Sequence, residues 1–210
     1  MKKERRNYSK TKILAIGDLH GNSNLAKKMA KKAVDEKVDL IIIPGDITWF
    51  NEEFRDVIKP FTETKKEILL LPGNHEPNST IDMLTEIYPQ AKNIHGNFFK
   101  KNDLGIFGAG YSSNLGPFQV RDEKMFENLS KSHEKIKDMK KKIMVTHEHH
   151  SGGKADKIGF RGSESIRKAI EIFKPDFLIS GHIHELGGLH EKLGKTKIIN
   201  VAKKGVIFEI

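Results

Sequence analysis

Leu40–Asp46, LIIIPGD, is a short run of leucine and isoleucine, closed by Pro44-Gly45 and ending on an aspartate. A run this short and this uniformly apolar, rich in β-branched residues, reads as a strand buried on both faces, the kind a parallel sheet requires. The same grammar recurs in KILAIGDLH (Lys12–His20), ILLLPGNHE (Ile68–Glu76), KIMVTH (Lys142–His147) and FLISGHIH (Phe177–His184). Each run ends on residue types that ligate metals. Ligands in open α/β folds sit just past the carboxyl ends of such strands. The runs are therefore expected to deliver Asp18, His20, Asp46, Asn74, His75, His147, His182 and His184 to one edge of one sheet. Oxygen and imidazole donors in that number suit two ions of the manganese–iron–zinc kind.

Between these runs the periodicity changes. Asn22–Glu36 has helical spacing through Leu25, Met29 and Ala33, with Asn22 or Ser23 available as a cap. Asn51–Lys59 reads as a short helix stopped by Pro60, and Ser79–Tyr88 as another stopped before Pro89. NFFKK and LGIFGAG, near residues 97–110, read as short antiparallel strands. Asp122–Lys140 is the longest helix candidate, with Met125, Phe126, Leu129, Ile136 and Met139 on its inner face. A Gly-rich segment, Ser151–Gly162, follows KIMVTH, and Ser163 caps a further helix with Glu164 in its first turn. KIINVAKKGVIFEI, at the end, reads as two strands joined in a hairpin at Lys203-Lys204-Gly205. Alternating strands and helices with a β-rich second half predict an α/β fold: a four-layer α/β/β/α sandwich, two mixed sheets flanked by helices.

The 210 residues suffice for one sizeable core, so a single domain over 12–210 is expected, preceded by a basic, flexible tail at 1–11. No apolar stretch approaches the ~20 residues needed to span a bilayer, and the basic N-terminus lacks the apolar centre of a secretory signal. The expected location is the cytoplasm, with no membrane partner. With no cysteine, any metal site must use nitrogen and oxygen ligands. The net charge is +9. Lys2, Lys3, Arg5, Arg6, Lys10 and Lys12 stand against Glu4, so the tail is either a solvated end or an electrostatic arm for nucleic acid.

Singly the motifs are weak, because an Asp or a lone His after a strand is common. Gly73-Asn74-His75 throws two side chains to one side after a turn. His182 and His184 flank one residue on an extended segment and so face the same way, which packing alone does not explain. Taken in order, DLH, GD, GNHE, a lone His after a strand and GHIH resemble the calcineurin-like metallophosphoesterase superfamily, from Lys12 to about Asn200. The resemblance implies the two-sheet sandwich. It implies that Asp18, His20 and His184 bind one metal, that Asn74, His147 and His182 bind a second, and that Asp46 bridges them. It places His75 beside the site as a proton donor. Manganese is the first expectation for the ions, with nickel, iron and zinc as alternatives. Two such ions would activate a water for attack on phosphorus, and His75 would give a proton to the leaving alkoxide.

The departures narrow the substrate. The protein Ser/Thr phosphatases of this superfamily carry a further Asp and Arg after GD and an Arg before GNHE; here Ile47-Thr48-Trp49-Phe50 follow Asp46, and Pro72 precedes Gly73. Trp49 stands where a carboxylate would orient the catalytic His, and Glu52 or Glu53 is the substitute nearest in sequence. Trp49 and Phe50 either pack into the core or stack on an aromatic leaving group. Arg161 is a phosphate contact or a solvated loop charge; His149 and His150 are loop residues or substrate contacts; His95, His133 and His190 read as structural. The expected activity is a phosphodiesterase on small or nucleotide-like substrates. The alternatives are a nuclease, a phosphomonoesterase or a non-catalytic scaffold.

Overall fold

The computed structural model describes residues 10–50 and 55–210. In chain order the elements are β1 (Lys12–Ala15), α1 (Ser23–Asp35), β2 (Leu40–Ile43), α2 (Arg55–Thr62), β3 (Glu67–Leu70), α3 (Asn78–Ile87), β4 (Ala91–Asn93), β5 (Phe98–Lys101), β6 (Leu104–Ala109), α4 (Asp122–Glu134), β7 (Lys141–Thr146), α5 (Glu164–Phe173), β8 (Phe177–Ser180), β9 (His190–Leu193), β10 (Thr196–Asn200) and β11 (Val206–Glu209). One sheet has the order β11-β1-β2-β3-β4 and the other β5-β6-β7-β8-β10-β9. The central strands β1–β4 are parallel, as are β6, β7, β8 and β10; β11, β5 and β9 join antiparallel at the edges.

Alternation along the strands builds the expected layers. On β1, Ile13 and Ala15 face the second sheet, while Leu14 faces the helices. The inter-sheet core includes Ile42, Leu69, Val145 and Ile179. Outside the first sheet, Met29, Val57, Ile58, Phe61 and Leu84 cover its outer face from α1, α2 and α3. Outside the second, Met125 and Leu129 of α4 and Ile166 and Ile170 of α5 pack on Phe107, Met144 and Leu178. The result is an α/β/β/α sandwich. No helix among the described residues is long and apolar enough to cross a membrane.

Several boundaries differ from the sequence reading. The five apolar runs do not share a sheet: β1, β2 and β3 lie in the first, β7 and β8 in the second. Pro60 does not stop α2, which runs on to Thr62. The backbone hydrogen bond it removes is outweighed by Val57, Ile58 and Phe61, all fully buried. α4 ends at Glu134 rather than Lys140; a turn follows, and it still buries Ile136. β10 and β11 form no hairpin, because β10 pairs with β8 and β9 while β11 pairs with β1. Lys203-Lys204-Gly205 instead carries the chain from one sheet to the other. Thr11, counted above with the tail, is buried and pairs with Ile210 through both backbone groups; the rest of that tail before Lys10 lies outside the described residues, as do Glu52 and Glu53.

Candidate metal centre

Four of the motif residues sit on tight, sterically demanding turns. Asp18, His20, Asp46 and His182 have φ of 58°, 45°, 50° and 72°. The left-handed region is uncommon for non-glycine residues, and such strain concentrates at functional sites. The motif glycines are there for space. A Cβ on Gly73 would strike Asp46 Oδ1, and one on Gly181 would strike Asp18 Oδ2. The carboxylates are pressed against backbone that only glycine leaves open.

These turns bring the candidate ligands together. His20 Nε2 lies 3.0 Å from His184 Nε2, and His184 Nε2 lies 3.3 Å from Asp18 Oδ1. His147 Nε2 is 2.8 Å from Asn74 Oδ1, 3.2 Å from His182 Nδ1 and 3.4 Å from Asp46 Oδ2. Asp46 Oδ2 is also 3.5 Å from His20 Nε2 and 3.9 Å from His75 Nε2. Asp18–His20–His184 and Asp46–His147–His182 form two clusters, and His20–Asp46–His75 joins them, each with its ligand atoms within 4.8 Å of one another. The donor chemistry fits a cation. A single ring nitrogen facing an amide oxygen, a carboxylate and another imidazole meets more lone pairs than one hydrogen can satisfy.

The surroundings set the protonation states. Burial pushes His20 down to about 4 against the pull of Asp46 and Asp18. Burial, aided by His147, lowers His182 further still. Both are neutral imidazoles at neutral pH, the form that ligates metals. Burial would lower His147 too, but the Asp46 carboxylate prevails and pushes it up to about 10. Burial likewise opposes the charge on Asp46, and His147, His20 and His75 together hold it below the usual carboxylate range. The His147 ring is oriented across the sheets, with Nδ1 2.9 Å from the Pro44 carbonyl. Asp18 accepts from the His182 N–H at 3.1 and 3.0 Å, and Asp46 Oδ1 from the His75 N–H at 3.0 Å, so each carboxylate is held by the backbone of another motif.

Three residues that received no role in the sequence reading support this frame. Glu76, fully buried, accepts from the N–H groups of Gly73 (2.9 Å), Ile47 (3.3 Å) and Thr48 (3.2 Å), tying the loop after β2 to the loop after β3. Burial and the nearby Asp46 push it up to about 7. Its signal was its place as the last residue of GNHE, before Pro77 stops any continuation. Glu148 accepts from Ser113 N–H at 2.7 Å, and burial pushes it up to about 7. Asn200 donates to the Gly181 carbonyl at 2.9 Å.

The remaining candidates divide. His149 and His150 are buried rather than open in a loop; His149 Nε2 lies 3.1 Å from the Phe160 carbonyl and its ring stacks toward His182 at 6.5 Å. Arg161 is exposed, its carbonyl accepting from Asn114 Nδ2 at 3.0 Å. His95 accepts from Gly110 N–H at 2.9 Å, and His133 stacks on Phe173 at 4.3 Å, both away from the clusters. Trp49 and Phe50 are not core residues: each is about half exposed (49% and 50%), and both pack on His75.

Known proteins share this fold. The fold matches the crystal structure of TT1561 of Thermus thermophilus with a TM-score of 0.76 and 19% identity, over 93% of this chain and 91% of that one. It matches a dimetal phosphatase from Danio rerio, LOC 393393, with a TM-score of 0.69 and 13% identity, over 92% and 88% of the two chains. It matches a structure described as a novel archaeal phosphodiesterase with a TM-score of 0.53 and 20% identity, over 90% and 82%. A search of curated protein sequences finds no match. The sequence itself matches the calcineurin-like phosphoesterase family over residues 11–186. A chain that meets that family's pattern over most of its length, and folds to bring the pattern's aspartates and histidines together, belongs to the calcineurin-like phosphoesterases.

Proposed function

We propose that this chain is a two-metal phosphodiesterase acting on small or nucleotide-like substrates. The observation that carries the reading is the pair of ligand clusters meeting at Asp46. Asp18, His20 and His184 would hold one ion, Asn74, His147 and His182 the other, and Asp46 both; manganese suits this donor set, as do nickel, iron and zinc. When bound, two such ions supply Lewis acidity that activates a water and offsets phosphate charge.

The chain's own groups do the rest. Buried, neutral His20 and His182 offer lone pairs without a proton to displace. The backbone N–H donors to Asp18 and Asp46 keep the carboxylates in place without neutralising them. His75, on the same turn as Asn74 and beside Asp46, is the group that gives a proton to the departing oxygen. The diester preference follows from charge. A phosphomonoester carries about 1.5–2 negative charges at pH 7, whereas a diester carries one. The turns bearing Asp46 and Asn74 bring no arginine to match the extra charge.

The test is a panel of mono- and diesters assayed with manganese, nickel and zinc. Diesters should be turned over with kcat/KM at least about tenfold above the matching monoesters, a difference of ~1.4 kcal/mol in the barrier, and Asp46→Asn should abolish both. A metal-loaded protein with no turnover on any phosphoester would overturn the reading. A monoester preference would overturn its substrate class.

A further inference from the structure

We propose that Trp49, braced by Phe50, is the positioning residue that fixes the ring of His75. The proposal rests on the reading that His75 supplies the proton. An imidazole that transfers protons or binds metal is ordinarily oriented by a hydrogen bond at its other nitrogen. Here His75 Nδ1 is buried and has no hydrogen-bond partner among the described residues. Aromatic rings take over that task. The Trp49 indole lies nearly parallel to the imidazole, with centroids 4.6 Å apart and planes at 22°. Phe50 meets the same ring edge-on at 4.9 Å, and His20 meets it edge-on at 4.8 Å. Trp49 is itself held, edge-on, by Phe50 at 5.1 Å and by His20 at 4.9 Å. Stacked and edge-to-face geometries at these separations are the favourable ones for π-systems. His75 is therefore packed by rings on several sides and keeps its Nε2 toward Asp46.

Two features show that the aromatic pair is not there for core stability. Trp49 and Phe50 remain about half exposed at the rim of the site. Phe50 also adopts φ of 53°, a left-handed conformation uncommon for a bulky side chain, and this turn holds both rings against the histidine.

The test uses diesters whose leaving groups differ in basicity. A nitrophenolate leaves without a proton, whereas an alkoxide needs one. Trp49→Ala should lower kcat on alkyl diesters by about 10²-fold, the lower end of what general acid catalysis contributes. It should leave nitrophenyl diesters nearly unchanged, with KM little altered for either. Trp49→Phe should restore most of the loss, and Trp49→Ala in a His75→Ala background should add none. A second readout needs neither metal nor turnover. In the metal-free protein, the His75 ring protons, assigned by their loss in His75→Ala, should be shifted upfield by the indole and should move downfield in Trp49→Ala. An equal loss on all leaving groups, a rise in KM alone, or unshifted ring protons would overturn the proposal. So would the same leaving-group pattern in Glu52→Gln or Glu53→Gln, which would assign the task to a carboxylate. If the protein turns over no phosphoester, the functional reading fails on its own, and the ring-proton shift alone decides whether Trp49 fixes the ring.

Discussion

Glu76→Ala separates what holds the metal centre from what forms it. The side chain touches no candidate metal cluster, yet it accepts from Gly73 N–H at 2.9 Å and from Ile47 N–H at 3.3 Å. Ile47 follows Asp46, and Gly73 precedes Asn74, so one buried carboxylate fastens both ligand turns. Alanine would leave those two amides, and the Thr48 N–H at 3.2 Å, without this acceptor. A buried donor left unsatisfied costs about 1–3 kcal/mol, so the gross loss is about 3–9 kcal/mol. Part of it is returned, because the substitution also removes a charge that burial and Asp46 both disfavour. The net loss in unfolding free energy should be the smaller quantity, on the order of 1–3 kcal/mol. Activity should fall much further. Freed turns would let Asp46 and Asn74 drift, and a displacement of about 1 Å at reacting groups can cost about 10²-fold. Glu76→Gln keeps the volume and one acceptor oxygen, so it should fall between wild type and alanine on both scales. The assays are urea unfolding of the metal-free protein and kcat/KM on a diester with manganese. Unchanged kcat/KM in Glu76→Ala would refute the claim that this carboxylate holds the two turns.

Other substitutions follow from the same geometry. Gly181→Ala drives a Cβ into Asp18 Oδ2; titration calorimetry should show the loss of one manganese site, and two intact sites would contradict the packing argument. Loading with metal should protect the fold: at a hundredfold excess over Kd the gain is about 2.7 kcal/mol for each site filled, or about 5–11 °C in Tm per site at this chain length, and a chelator should reverse it. His95 gives a pH dependence away from the metal clusters. Burial, with Lys124 and against Asp82, depresses it from 6.5 to about 4, and its Nδ1 already accepts the Gly110 N–H. The unfolded chain therefore takes up this proton first as pH falls, so the contribution is complete above pH 6.5 and is lost toward pH 4. That is about 3 kcal/mol, and His95→Gln should flatten that part of the stability–pH curve.

The strands and their terminal ligand types were legible because each apolar run is short, uniform and closed by Gly or Pro. The layers followed from the change of pattern after residue 97, and α1 and α5 began where Asn22 and Ser163 could cap them; both side chains do accept, from Leu25 and Ile166 N–H. Long-range pairing was not legible. Nothing local distinguishes β2, which joins the first sheet, from β8, which joins the second. The turn at Lys203–Gly205 has hairpin chemistry, but it is used to cross between sheets. Pro60 announces a stop that burial of Phe61 overrides. Glu76 was visible as a letter in a motif, while its partners lie 3, 28 and 29 positions away. Trp49 was visible as a departure, and only the folded chain shows what its ring faces.

The division into two sheets explains why the centre is assembled as it is. Asp18, His20, Asp46 and Asn74 leave strands of the first sheet, whereas His147, His182 and His184 leave strands of the second. The groups Asp18–His20–His184 and Asp46–His147–His182 each draw on both sheets, whereas His20–Asp46–His75 comes from the first alone. The middle of the interface is apolar, with Ile42 and Leu69 on one side and Val145 and Ile179 on the other; contacts of that kind bind strongly but specify position weakly. Position is specified at the carboxyl ends, where polar contacts cross between the sheets: Gly17 N–H to the Val201 carbonyl at 3.2 Å, Tyr111 N–H to the Pro72 carbonyl at 2.9 Å, and His147 Nδ1 beside the Pro44 carbonyl at 2.9 Å. At least one partner in each contact lies on a turn that carries ligands. The prolines in LIIIPGD and ILLLPGNHE thus do more than end strands. Lacking an N–H, each ends its own ladder, and its carbonyl is engaged by the opposite sheet, which aligns the two halves of the centre.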